Sequence, residues 1–399
     1  MPNCARKVIK WLVIASLVGA AAGAASALFL ALLSWATATR ESHHWLILLL
    51  PAVGALTAFV YAKIGSGSEK GTNLLIDTIF DPRERIHFRM APLILVSTVA
   101  THLCGGSAGR EGTGLQMAGA IADQFAKPFK LDADGRRTLM IAGIAAGFGS
   151  VFGTPIAGAV FALEFYRAGR ISHEAIFPAF AASIVADSTA RLLGVSHQPW
   201  LLPSPGAFAP TQALWMIVAG IAFGACAVLF TAAMHKGAEL AGKIVPNGVV
   251  RAAVGGVALV SLFAALGTTR YCGLSTEIIS DALLHPEDSR IYDFALKLLF
   301  TAMTLCVGFK GGEVTPLFAI GSSLGAALAL ILPLPPAVLA TSGLVAVFAG
   351  ASNTPLACTV LAFELFGPEY GKYAAIACIV SYVCTGRRGL YAAQRLDKK

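Results

Sequence analysis

The stretch Gly105-Gly106-Ser107-Ala108-Gly109-Arg110-Glu111-Gly112-Thr113-Gly114 and its distant counterpart Lys310-Gly311-Gly312-Glu313-Val314-Thr315-Pro316-Leu317-Phe318 decide how this chain is read. Each places one glutamate in a glycine-rich break inside strongly apolar sequence. Each has a glycine two residues before the acid and a threonine two residues after it. An ionisable side chain held inside a bilayer is costly, so it marks a functional site by default, usually an ion or proton path. Two of them related by a repeat point to a transporter.

The surrounding sequence is membrane-grade throughout. The 399 residues are 56% hydrophobic and 13% charged, about half the ~25% charged content of soluble domains, and the mean hydropathy is +0.71. Apolar stretches recur at 11–38, 45–62, 90–104, 138–165, 175–190, 213–234, 248–266, 291–307, 317–332, 335–350 and 356–385. Several reach the ~18–20 residues that a spanning helix needs. The expectation is an all-α polytopic membrane protein. Arg6, Lys7 and Lys10 precede an apolar run too long for a signal peptide, so residues 1–38 read as the first membrane helix.

The formal net charge of +8 does not point to nucleic acid, because the basic residues lie at helix ends rather than along one face. They gather at 6–10, 83–89, 127–137, 167–170 and 387–399. The positive-inside rule then predicts an inner-membrane protein with both termini in the cytoplasm. The eight cysteines form no Cys-x-x-Cys pair and the eight histidines no His-Glu-x-x-His, so neither a metal site nor a cofactor is expected. Gly65-Ser66-Gly67-Ser68-Glu69-Lys70-Gly71-Thr72 is no P-loop, because a glycine separates its lysine and threonine. No nucleophile–base set suggests an enzyme.

The repeat is explicit. Phe148, Thr154, Pro155, Ala157, Val160, Ala162 and Glu164 match Phe348, Thr354, Pro355, Ala357, Val360, Ala362 and Glu364 without a gap. The halves divide near 195–212, giving a first repeat over about 40–195 and a second over about 212–385. Proline belongs in the first turn of a helix, so Pro155, Pro316 and Pro355 mark helix starts, and Gly112-Thr113-Gly114 opens a fourth. A helix begun at membrane depth points unpaired N–H groups and a positive dipole end into the cavity it faces. Several such ends converging would make an anion site without a lysine. Glycine- or proline-interrupted segments at matching places in two repeats are where transporters bind substrate.

Gly109-Arg110-Glu111-Gly112-Thr113 resembles the GREGx signature of the CLC family of anion channels and proton-coupled antiporters, and Gly311-Gly312-Glu313-Val314-Thr315-Pro316 stands where that family has GxFxP. The resemblance implies the CLC-type fold: two inverted repeats whose broken, tilted helices meet at a midplane anion site, in one domain spanning 1–399 with a final short helix at 386–399 and no C-terminal regulatory domain. It also implies a homodimer with one pore per subunit. Departures indicate the branch. Thr113 replaces the proline that usually follows GREG, Gly71-Thr72-Asn73-Leu74-Leu75 replaces GSGIP, and Glu313 stands within the second motif. These resemble the fluoride/proton antiporter (CLC-F) branch, implying a proton-coupled fluoride exporter that confers fluoride resistance. The alternative is a chloride channel or chloride/proton exchanger, against which Thr113 and Glu313 argue.

Carried over by that resemblance, Glu111 is the gating glutamate, Glu313 the second buried glutamate and Thr315 its polar neighbour. Tyr391 is the anion-facing tyrosine, and Thr72 or Asn73 the central anion-coordinating residue. Phe165 stands where chloride exchangers keep an inner proton-accepting glutamate, which makes Glu313 the candidate for that task. When ionised, Glu111 occupies the place of the anion; when protonated, it can swing away. Fluoride, a strong hydrogen-bond acceptor, calls for donors such as Thr72, Asn73, Thr315, Tyr391 and the backbone N–H groups of Gly112 and Thr113. Glu164 and Glu364 read as structural, satisfying neighbouring backbone groups or arginines.

Overall fold

A computed structural model of the protein describes residues 2–65, 67–82, 85–168, 171–197, 200–386 and 389–396. Helices dominate. The first half contains α1 (Pro2–Ser42), α2 (Leu50–Ile64), α3 (Thr72–Phe80), α4 (Met90–Leu103), α5 (Glu111–Gln124), α6 (Ala133–Phe152), α7 (Pro155–Glu164) and α8 (Ile176–Leu192). The second contains α9 (Pro210–Ile244), α10 (Gly248–Leu266), α11 (Thr276–Leu284), α12 (Asp293–Cys306), α13 (Val314–Leu328), α14 (Pro336–Ser352), α15 (Pro355–Phe366) and α16 (Pro368–Thr385). Four helical segments among the described residues are long and apolar enough to cross a membrane, at 5–42, 44–64, 210–244 and 248–266. Met90–Leu103, Pro155–Glu164, Val314–Leu328, Pro336–Ser352 and Pro355–Phe366 are apolar but shorter, as expected of helices that end within the bilayer.

Local chemistry sets the boundaries. Asp132 caps α6 by accepting from Gly135 N, and Asn247 caps α10 by accepting from Val249 N and Val250 N. Pro155 and Pro355 are the first residues of α7 and α15. Pro316 is instead the third residue of α13, still within the turn whose N–H groups have no intrahelical partner. The long apolar runs at 138–165 and 356–385 are each two helices, broken at Gly153-Thr154 and at Gly367.

The two halves pack alike. Helix α5 packs on α6 as α13 does on α14, α1 on α8 as α9 on α16, and α4 on α5 as α12 on α13. Small residues allow the closest crossings: a Cβ on Gly321 would fall on the carbonyl of Gly343. The halves then join by exchange. Glu164, at the end of α7, accepts from Leu356 N (3.2 Å) and Ala357 N (2.8 Å) at the start of α15. Glu364, in α15, accepts from Ile156 N (3.1 Å) and Ala157 N (2.7 Å) at the start of α7. Each glutamate satisfies first-turn donors of the other repeat's helix, the structural role its position suggested.

The C-terminal segment differs from expectation. The described residues 389–396 form no helix; a turn leads into β2 (Arg395–Leu396), which pairs in parallel with β1 (Arg167–Ala168). The physical reason is that the segment's N–H groups bond elsewhere than along a helix. Leu390 N donates to Ala351 O and Ala393 N to Asn73 Oδ1, while Arg395 N donates to Tyr166 O. Residues 387, 388 and 397–399 of the expected helix lie outside the described residues. Gln394 completes the anchorage, donating from Nε2 to Phe165 O and Ser352 O and accepting from Asn353 Nδ2.

Candidate functional site

The two glycine-rich breaks lie directly against each other. Gly109 N donates to Gly312 O (2.5 Å) and Gly312 N to Gly109 O (2.7 Å), a two-residue antiparallel bridge between segments 203 positions apart in sequence. The approach requires glycine. A Cβ on Gly312 would stand 2.6 Å from Gly112 N, and one on Gly109 would stand 2.7 Å from the Pro316 ring. Helices α5 and α13 start from this bridge, so their positive ends converge on the space beside it.

Glu111 is fully buried. Its carboxylate sits at the start of α13, in the opposite repeat. Thr315 N donates to Oε2 at 3.0 Å, and the Thr315 hydroxyl donates to the same carboxylate. On the other side Arg110 contributes its backbone N–H to Oε2 and its Nε to Oε1, both at 3.2 Å. The carboxyl thus fills a donor set built from a helix N-terminus, a hydroxyl and a guanidinium. Any small anion would want the same donors.

Glu313 reaches the reciprocal place. Its Oε2 lies 3.4 Å from where a Cβ on Gly112 would stand, at the start of α5. Its Oε1 is buried without a hydrogen-bond partner, and so is the hydroxyl of Tyr391. The two groups face one another closely enough to interact. A proton on the carboxyl would satisfy the Glu313 oxygen, and the Tyr391 hydroxyl can donate either to that carboxyl or to an anion beside it. The Tyr391 ring packs edge-on against Phe165 (centroids 4.9 Å apart, 80°). Phe165 continues a stack through Phe161 and Phe148, at 5.0 and 4.4 Å. The place where an inner glutamate was considered is therefore an apolar wall.

The other candidate residues distribute unevenly. Thr72, at the start of α3, is buried and accepts from Gln116 Nε2 of α5 at 3.4 Å. Asn73 uses its Oδ1 on Ala393 N, two residues beyond Tyr391. That bond ties α3 to the tyrosine segment. Thr113 turns its hydroxyl to Thr98 of α4 (2.7 Å), so what it offers a ligand is its first-turn N–H, as does Gly112. The structure brings Glu111 and Thr315 into contact and gathers Glu313, Gly112 and Tyr391. The Thr113 hydroxyl is directed away.

A cavity of about 530 Å³ leads to this centre, with Arg110, Glu111, Thr154, His197, Thr315 and Glu364 in its walls. Burial holds the His197 imidazole below its usual pKa and the Arg110 charge acts in the same direction, with Asp187 opposing and Arg191 reinforcing. The wall's positive charge at neutral pH therefore comes from arginine. Sequence reading passed over Arg110 as a ligand of Glu111, although it stands next to it in the motif. It also passed over the fully buried Lys297, whose signal was a single lysine inside the apolar run Phe294-Ala295-Leu296-Lys297-Leu298-Leu299-Phe300.

Comparison with known proteins agrees with this architecture. The family profile described as "Voltage gated chloride channel" matches residues 53–386. A "Chloride/fluoride channel protein" from Pseudomonas syringae pv. tomato is 46% identical over 399 residues, covering 98% of this chain and 87% of the relative. An "H(+)/Cl(-) exchange transporter ClcA" from Cronobacter sakazakii is 28% identical, covering 89% and 81%. Among solved structures, a CLC-type fluoride/proton antiporter superposes with a TM-score of 0.94 at 36% identity, covering 97% of this chain and 98% of the other. A slow cyanobacterial Cl-/H+ antiporter shares the fold, with a TM-score of 0.81 at 20% identity and 96% of each chain covered. This membrane protein belongs to the voltage gated chloride channel (CLC) family of ion channels and transporters.

Proposed function

We propose that the protein exports fluoride in exchange for protons. It does so as a single membrane domain of two repeats, in the inner membrane with both termini in the cytoplasm, and thereby confers fluoride resistance. It acts as a homodimer with one pore per subunit. The observation that carries the reading is the seat of Glu111: a carboxyl held by Thr315 N, the Thr315 hydroxyl and Arg110, in the place a substrate anion would take. Protonation removes its charge and weakens each of those bonds, since hydrogen bonds to ionised groups are about twice as strong as neutral ones. The released donors then receive the anion, and each proton that neutralises Glu111 clears one place.

Fluoride rather than chloride is supported by the hydroxyl donors of Thr315 and Tyr391 beside first-turn N–H groups, and by the carboxyl of Glu313 next to them. The fluoride named for the 46% relative and for the 36% identical antiporter structure supports the same substrate. Glu313 serves as the inner proton-handling group, because Phe165 and the Phe161 and Phe148 rings stacked behind it have no titratable atom. Thr72 and Asn73, with Tyr391, border the inner end of the path. The reading is tested by loading proteoliposomes with fluoride or chloride and following efflux with ion-selective electrodes. Fluoride efflux should far exceed chloride efflux. Equal fluxes would remove the fluoride assignment and favour a chloride channel or exchanger.

A further inference from the structure

Lys297 is fully buried in α12, and its three hydrogen-bond acceptors are all uncharged: Ser107 Oγ (2.9 Å), Gly273 O (2.7 Å) and Tyr271 O (3.3 Å). Three acceptors match the three N–H bonds of an ammonium group. A buried amine whose described hydrogen-bond partners include no carboxylate is costly to keep, more so at membrane depth. The repeat does not account for it. At the 202-residue offset that relates Glu111 to Glu313, the counterpart of Lys297 is Leu95.

What Lys297 holds is the first break. Ser107 lies four residues before Glu111, and three side chains along one face of α12 engage it. Lys297 donates to its hydroxyl, Thr301 Oγ1 shares a 3.0 Å hydrogen bond with the same hydroxyl, and Thr304 Oγ1 accepts from Ser107 N at 3.1 Å. Thr304 in turn donates to Phe300 O, so the chain of donors and acceptors is closed. The Gly273 carbonyl that Lys297 bonds belongs to the residue whose N–H donates to Gly106 O, so the lysine also ties a neighbouring loop to the break. Helix α12 ends at Cys306, just before the second break. One helix therefore carries Glu313 beyond its end and the segment before Glu111 along its flank.

We propose that Lys297 is a positioning residue for the exchange cycle: by registering the first break on α12, it sets where the Glu111 carboxylate meets Thr315 of the opposite repeat. The proposal rests on the fluoride/proton reading above. Its consequence is specific to coupling. A break free to shift along α12 lets Glu111 leave the donor set without taking a proton, and fluoride then passes unaccompanied.

The test compares wild type, Lys297→Met and Ser107→Ala in proteoliposomes, recording fluoride and proton movement in the same vesicles. The ratio of the two fluxes does not depend on how much folded protein is reconstituted. In Lys297→Met, fluoride moved per proton should rise at least about threefold, with a smaller rise in Ser107→Ala, which keeps the lysine and its two carbonyl bonds but removes the two bonds of the Ser107 hydroxyl. If Lys297→Met yields no folded protein, Ser107→Ala alone decides. Unchanged ratios in folded variants, even with lower rates, would overturn the proposal while leaving the exchange reading intact. A wild type that moves no protons would overturn both.

Discussion

The reciprocal glutamate caps allow a worked prediction that separates scaffold from relay. Glu164 accepts from two N–H groups at the start of α15, one of them in a fully buried bond. Leaving a buried donor without an acceptor costs about 1–3 kcal/mol, so Glu164→Ala, which strands two, should cost about 2–6 kcal/mol plus a cavity term. Glu164→Gln has nearly the same shape and keeps one amide oxygen, so it should cost about half as much. Glu364 makes the mirror-image pair of bonds, but its bond to Ile156 N is exposed to solvent and its bond to Ala157 N only partly buried. Water can replace part of what is lost there, so Glu364→Ala should be milder than Glu164→Ala. The assay is thermal unfolding of purified protein in detergent, with the order wild type, Glu364→Ala, Glu164→Ala in falling midpoint. In liposomes the surviving Glu164→Gln protein should keep the wild-type ratio of fluoride to protons. A changed ratio with unchanged stability would refute the capping argument and make Glu164 a proton relay.

Three further outcomes follow from the site. Thr315→Val removes the hydroxyl bonded to Glu111 at nearly constant shape and should slow coupled exchange about tenfold or more, whereas Thr315→Ser should stay near wild type; equal initial proton fluxes for the two would show the hydroxyl idle. Gly312→Ala sets a Cβ 2.6 Å from Gly112 N and should cost about 1–3 kcal/mol or more through overpacking, seen as reduced recovery of monodisperse protein on size exclusion. Glu313→Ala should stop coupled exchange in a protein that still folds, and Glu313→Asp should be impaired rather than silent. Normal coupling by Glu313→Ala with somewhat lower thermal stability would reduce Glu313 to a helix cap.

Much of this arrangement could be read in advance because the breaks disrupt an otherwise uniform background. Glycine, proline and glutamate interrupting apolar runs mark Glu111, Glu313, Pro155 and Pro355, and an ungapped match places them in two halves. Side-chain direction was less legible. Thr113 stands one position from Gly112 in the motif, yet its hydroxyl pairs with Thr98 on a neighbouring helix. Asn73 accepts through its oxygen from Ala393 N, some 320 residues away, a partner no local pattern announces, while its amide N–H groups are the donors the anion reading concerns. Lys297 went unnoticed for the same reason: its partner Ser107 is 190 positions distant, and a lone lysine in an apolar helix carries no local sign of what it meets. Over the described residues 389–396 of the final helix expected by resemblance, long-range bonds to Ala351, Asn73 and Tyr166 take up N–H groups that a helix would use internally.

The central claim is that protonation of Glu111 clears the anion's place, and proton movement driven by fluoride measures it directly. Vesicles containing wild-type protein and loaded with fluoride should take up external protons as fluoride leaves, raising the external pH without any imposed proton gradient. Vesicles containing Glu111→Gln, whose side chain cannot exchange a proton, should leave external pH unchanged whatever happens to their fluoride. Proton uptake by Glu111→Gln equal to that of wild type would contradict the account.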